Sequence, residues 1–394
     1  MSGSAPDEPP VREQREQRSP EGPELTADVN GLLPDEIEPE ESGLALSPRR
    51  IAIYLAVVTA FVIGLYIGLP AALSGLSDMR DVVADADPIW IAVALGFNLL
   101  SFAAYIALFR GVIGGSGDPL FEQRINWSVS YQITMAGLAA TRLFSAAGAG
   151  GIALTYWALR KAGMPRRGAA WRMVAFLALL YGVYLVAVVV FGVLLRVGLL
   201  PGPHPVGMTI VPAAIAGIAL VIVLLVSLIP DDVERRLAHW SRGYRRRATW
   251  LRRLAAGPVL LASGTRMAIG LVREPARGLP AVAGAVGFWA ANIAVLWACF
   301  HAFGEAVPKG VLVQGFFVGM AANLLPFFPG GVGSVDAGMI GAFLAFGLPA
   351  SAVIVSVLAY RVIAFWLPIP PGTVAYIQLR RTVNRWREEG VHAP

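Results

Sequence analysis

Apolar positions in this chain gather into long blocks. Six runs, at roughly 51–73, 89–109, 173–197, 208–229, 280–303 and 352–377, are almost wholly apolar, and each is long enough to cross a hydrocarbon core of about 30 Å as a helix. Two further segments, 126–159 and 310–346, are too long for one span and are interrupted near their middle by glycine or proline. The pattern predicts an all-α polytopic membrane protein with six full transmembrane helices and two broken hairpins, about eight to ten hydrophobic helices in all. Each hairpin is either re-entrant or a pair of short spans.

Charge orients these elements, because basic residues collect on the cytoplasmic side. Arg49 and Arg50 precede the first run, Asp78, Asp81, Asp85 and Asp87 follow it, and Arg110 and Arg124 follow the second. Arg160, Lys161, Arg166, Arg167 and Arg172 follow the first hairpin, so both its ends lie inside. Residues 231–277 carry eleven Arg against four acids, and Arg380, Arg381, Arg385 and Arg387 close the chain on the same side. The second hairpin then has both ends outside. Two units of span, hairpin and span, about 89–197 and 280–377, are expected with opposite orientation, an inverted repeat of the kind many transporters share. The equal separation of 44 residues from Asn98 to Arg142 and from Asn292 to Asp336 gives the pairing a faint echo.

Composition sharpens the picture. The chain is 56% hydrophobic and 15% charged. Residues 1–50 hold twelve acids and five Arg, too polar to bury a core, and 1–48 is expected to be a disordered acidic cytoplasmic tail. A transmembrane domain is expected over 49–380 and a short cytoplasmic tail over 381–394. Within the domain, 230–278 reads as a basic cytoplasmic amphipathic loop. Val233, Leu237, Trp240, Tyr244, Leu251 and Leu254 put an amphipathic helix over 233–254 on the inner leaflet, with a solvated basic loop as the alternative. The basic body fits anionic lipid and topology better than nucleic acid. Arg outnumbers Lys 30 to 2, which suggests a GC-rich genome; a bacterial cytoplasmic membrane with both termini inside is the expected location.

Enzyme chemistry finds little support. Cys299 is the one cysteine, and His204, His239, His301 and His392 are scattered, so no metal or redox site is expected. Nucleotide-binding and hydrolase motifs do not occur, and no cofactor is implied. No signal peptide is evident before the first apolar run.

Ionisable groups at bilayer depth are costly and mark pathways or sites. Arg142 lies in the first hairpin, Asp336 follows the glycine-rich break of the second, and Arg361 is well inside the last span. Two cations and one anion leave an excess positive charge that a lipid phosphate would satisfy. Asp336 would then hold one arginine in place. The alternative is an Asp336–Arg361 pair that fastens two helices while Arg142 snorkels to the surface. The breaks, Ser145–Gly151 and Pro326–Asp336, open the helical ladder, and Pro329, Gly330, Gly331 and Gly333 expose backbone groups that attract anions. Asn98, Asn292, Asn323, Gln132 and Gln314 line a polar cavity or bridge helices. Trp289, Tyr360 and Trp366 read as ordinary core or interface aromatics.

The run Pro326–Asp336 with Ala337-Gly-Met-Ile-Gly-Ala-Phe after it, then Tyr360-Arg361, Phe365-Trp366-Leu-Pro and Pro371-Gly372, resembles the lysylphosphatidylglycerol synthase transmembrane family, the flippase-like region of the multiple peptide resistance factor. Arg142 and Thr155-Tyr-Trp-Ala-Leu-Arg160 also look like that family. Asp336 stands where glutamate is common, and Leu143-Phe144-Ser145 replaces a frequent Leu-Gly-Glu element. The resemblance spans about 50–380 and implies a lipid-translocating or lipid-binding domain, here without the aminoacyl-transferase domain. The expected function is a flippase-like transporter of an anionic phospholipid or polyprenyl-phosphate lipid. The alternative is a non-transporting partner or scaffold of a lipid- or glycan-modifying enzyme. A homo-oligomer is compatible with either.

Overall fold

The computed structural model describes residues 86–115, 119–143, 149–228, 247–324 and 333–391. The acidic tail and the apolar run at 51–73 lie outside these residues, as do Pro329, Gly330 and Gly331. Among the described residues the chain is helical without strands. Five helices are long and apolar enough to cross a membrane: Pro88–Ile113, Arg166–Arg196, Ile210–Ser227, Pro275–Ala302 and Ala350–Glu388. The expected sixth span falls on residues that are not described.

Helix α1 (Pro88–Ile113) starts where the Asp87 carboxylate accepts from the Ile89 amide at 2.8 Å, with Pro88 at the first helical position. Short α2 (Pro119–Arg124) leads into the first hairpin, α3 (Trp127–Leu143) and α4 (Ala149–Lys161). Helix α5 (Arg166–Arg196) and helix α6 (Ile210–Ser227) follow. Next come α7 (Arg247–Arg273) and α8 (Pro275–Ala302), then the second hairpin, α9 (Lys309–Met320) with a 3₁₀ turn at Ala321–Leu324, and α10 (Ser334–Ala345). The last element is α11 (Ala350–Arg361), a π-helical turn (Val362–Trp366) and α12 (Ile369–Val391).

Helices α1 and α8 form an antiparallel pair along their whole length. The Asp87 amide donates to the Ala302 carbonyl at 2.9 Å at one end, and Gly111 lies against Ala281 at the other. A Cβ on Gly111 would come 2.5 Å from the Ala281 nitrogen, so the small residue sets the approach. The other contacts are reciprocal. Helix α3 packs on α12, where Gly372 fits against Met135 and Ala139. Helix α9 packs on α5, where the Tyr184 hydroxyl donates to the Phe317 carbonyl at 2.6 Å. Each hairpin thus leans on the final long helix of the other unit.

Both hairpins are fastened the same way. A Cβ on Gly151 would lie 2.5 Å from the Gly137 oxygen, and one on Gly338 would lie 2.7 Å from the Gly319 oxygen. Five residues before the first-arm glycine stands a glutamine in each, Gln132 and Gln314. Gln132 accepts from Thr382 at 3.1 Å and Gln314 donates to the Met208 carbonyl at 3.0 Å. These, and not the equal 44-residue separations, are the matching positions. Arg142 ends the arm before the break, whereas Asp336 begins the arm after it.

The basic region also differs from expectation. Residues 233–246 lie outside the description; from Arg247 to Arg273 the chain is one helix, which overlaps the expected helix over 233–254 at 247–254 and runs on through residues read as loop. Its composition looks solvated, yet Ala262, Thr265 and Ala268 are buried and Gly264 sits on Val174 of α5. Small residues hid this packing face from a reading by charge.

Candidate functional site

Described arm residues of both hairpins line a cavity of about 380 Å³ between the units. Its walls come from α1 (Tyr105, Phe109), α5 (Phe176, Tyr181), α8 (Trp289, Asn292) and α11 (Tyr360, Arg361). Thr141, Arg142 and Gly151 reach it from the first hairpin, Asn323 and Val335 from the second. Such a volume falls in the range of small-ligand sites.

Proline chemistry shapes one wall. Pro368, Pro370 and Pro371 lack the amide hydrogens that would close the preceding helical turn. The backbone responds with a π turn in which the Leu367 amide donates to the Val362 carbonyl at 3.0 Å. The Ile363 and Ala364 carbonyls are thereby free to accept from side chains. Asn98 Nδ2 donates to Ile363 at 3.0 Å, and Arg142 Nη2 donates to Ala364 at 2.9 Å. In an apolar medium such carbonyls need partners, and α1 and the first hairpin, both of the first unit, supply one each.

Arg142 therefore turns toward the π turn of the last span. Its Nη1 is buried and has no hydrogen-bond partner among the described residues. The guanidinium carbon lies 5.5 Å from the centre of the Phe365 ring, which also carries the Arg361 guanidinium at 4.3 Å. Phe365 thus accepts both cations.

Asp336 is engaged on both sides. Gly333, at φ 82°, turns the chain into α10 and donates its amide to Asp336 Oδ2 at 2.7 Å. Asp336 Oδ1 meets Arg361 Nε at 2.6 Å. The carboxylate closes the helix N-terminus and offsets the charge of Arg361, which is 6% exposed. With that pair neutral, Arg142 leaves one positive charge at the cavity.

Arg142, Arg361, Asn292 and Asn323 line one cavity, and Asp336 stands behind Arg361. Asn98 is packed behind the π turn, 1% exposed, and does not line the cavity. Asn292 donates to its own helix at the Phe288 carbonyl, 2.8 Å away. Sequence reasoning missed Tyr105, Tyr181, Phe365 and the threonines, and treated Tyr360 and Trp289 as ordinary aromatics. The prolines after Trp366 are the signal that points to the π turn.

At the end of the molecule where α1 finishes, arginines cap helix ends. Arg110 donates to the Ile125 carbonyl at 2.9 Å, Arg172 donates to the Gly114 carbonyl at 3.1 Å, and Arg124 lies 6.0 Å from the Trp386 ring centre of α12. Arg110, Arg124 and Arg172 thus lie together at that end.

A family model described as the lysylphosphatidylglycerol synthase TM region matches residues 51–372. A UPF0104 membrane protein of Methanothermobacter thermautotrophicus is 22% identical over 316 residues, which cover 76% of this chain and 88% of the relative. A second match to a protein of that description from the same organism is 30% identical over 92 residues, 23% of this chain and 26% of the relative.

Proposed function

The chain belongs to the lysylphosphatidylglycerol synthase transmembrane-region family, and from that premise we propose that it binds the anionic headgroup of a membrane lipid at the Arg142 cavity and carries it between leaflets. The observation that carries this reading is the guanidinium of Arg142, whose Nη1 has no hydrogen-bond partner among the described residues, at a cavity lined by both hairpins. A buried cation with an open donor recruits an anion, and the membrane itself supplies phosphates.

The helix lengths support hairpins that enter and return. Arms of 12 to 17 residues are about 18–26 Å long at 1.5 Å per residue, short of a hydrocarbon core of about 30 Å. Their reciprocal packing on α5 and α12 supports an inverted repeat, with the site where broken helices meet. The Arg-rich face fits the cytoplasmic side, with both termini there and 51–73 as a sixth span. Asp336 and Arg361 hold the wall, and Arg142 receives the headgroup.

The test is movement of fluorescent anionic phospholipid in proteoliposomes at matched amounts of folded protein. Wild-type protein moves the lipid above the protein-free rate, and Arg142→Gln abolishes the movement. Folded wild-type protein that moves no anionic lipid returns the molecule to the scaffold reading.

A further inference from the structure

We infer that the cavity takes a lipid phosphodiester bearing a neutral, hydroxylated headgroup, and discriminates against both an amino-acylated headgroup and a bare phosphomonoester. This deepens the proposed function and rests on it.

Charge comes first. Among the described lining residues there are two guanidiniums and no carboxylate, lysine or histidine. Arg361 is matched by Asp336, so the cavity presents a net charge of one from Arg142. A phosphodiester carries one negative charge at neutral pH, whereas a phosphomonoester carries about 1.5 to 2. Only the diester closes the balance, and uncompensated charge away from water is expensive. An amino-acyl group brings an ammonium, and no lining carboxylate among the described residues meets it. Asp336 is already bound to Arg361 and to the Gly333 amide.

Hydrogen-bond polarity comes second. The Thr134 hydroxyl donates to the Ser130 carbonyl at 2.7 Å, and the Thr141 hydroxyl donates to the Gly137 carbonyl at 2.9 Å. With their hydrogens committed to the helix, these two oxygens offer the cavity lone pairs only. Acceptors call for donors, and phosphate oxygens have none. Headgroup hydroxyls donate without adding charge. Arg142 Nη1 would hold the diester oxygen while Thr134 and Thr141 accept from hydroxyls alongside it.

The experiment uses the full chain in proteoliposomes with three lipids that share one fluorescent acyl chain: phosphatidylglycerol, phosphatidic acid and lysylphosphatidylglycerol. Phosphatidylglycerol is expected to move at least about tenfold faster than either of the others, an energy difference of about 1.4 kcal/mol. Equal or faster movement of the lysyl lipid overturns the exclusion of a cationic headgroup. Equal movement of phosphatidic acid overturns the requirement for hydroxyls. In Thr141→Val, the advantage of phosphatidylglycerol over phosphatidic acid should fall, and an unchanged ratio in folded protein removes Thr141 from the site. If none of the three lipids moves, or all move alike in wild type and Arg142→Gln, the proposed function itself falls and this selectivity falls with it.

Discussion

The two hairpins share a frame and differ in charge. Each pairs a first-arm glycine with a second-arm glycine, Gly137 with Gly151 and Gly319 with Gly338, and each sends a glutamine outward five residues earlier. Yet the first hairpin carries Arg142, whose Nη1 has no hydrogen-bond partner among the described residues, and the second carries Asp336 with both oxygens engaged. The frame brings both hairpins to one cavity, and the departure from symmetry gives that cavity a sign. A symmetric pair of arginines would repel, and a symmetric pair of carboxylates would repel an anion.

The largest effect expected from this comparison is on stability, at Asp336. Asp336→Asn leaves the buried Arg361 without its counter-charge, at a cost of about 3–5 kcal/mol. Thermal unfolding in detergent should show a large loss. The double substitution Asp336→Asn with Arg361→Gln should recover part of it, because the stranded charge is gone. A double variant no more stable than the single one would contradict the pairing as the reason.

Next come the glycine contacts. Gly151→Ala and Gly338→Ala each push a methyl group against a facing carbonyl, a cost of about 1–3 kcal/mol by overpacking. The two losses should be alike. A loss in one hairpin alone would break the likeness of the frames.

Arg142→Gln should cost less, about 1 kcal/mol for its bond to Ala364, while removing lipid movement. Stability and activity should thus separate, with the larger stability loss expected at Asp336 and the larger loss of lipid movement at Arg142. Gln132→Leu is expected to have the smallest effect, at or below about 1 kcal/mol for its bond to Thr382. Its lipid movement should stay close to wild type.

Much of this arrangement is legible from residue type and position. Apolar runs end within a few residues of α1, α6 and α8, because hydrocarbon thickness limits their length. The pairing of Asp336 with Arg361 follows from the cost of charge at depth. The destination of Arg142 does not, since it depends on a carbonyl 222 residues away freed by prolines that read only as helix breakers. Phe365 looks like any core aromatic until two guanidiniums are found over it. The part of α7 beyond residue 254 was hidden because its packing face is made of Ala, Gly and Thr among arginines. The 44-residue spacing misled for a related reason: equal separations along the chain reached opposite arms of the two hairpins.

The central claim is that a single positive charge at Arg142 receives the anionic headgroup. The most direct measurement is the rate of phosphatidylglycerol movement in proteoliposomes for wild type, Arg142→Lys and Arg142→Gln at matched folded protein. The account predicts loss of movement in Arg142→Gln and partial retention in Arg142→Lys, which keeps the charge but not the planar fork. Movement in Arg142→Gln equal to wild type would contradict it.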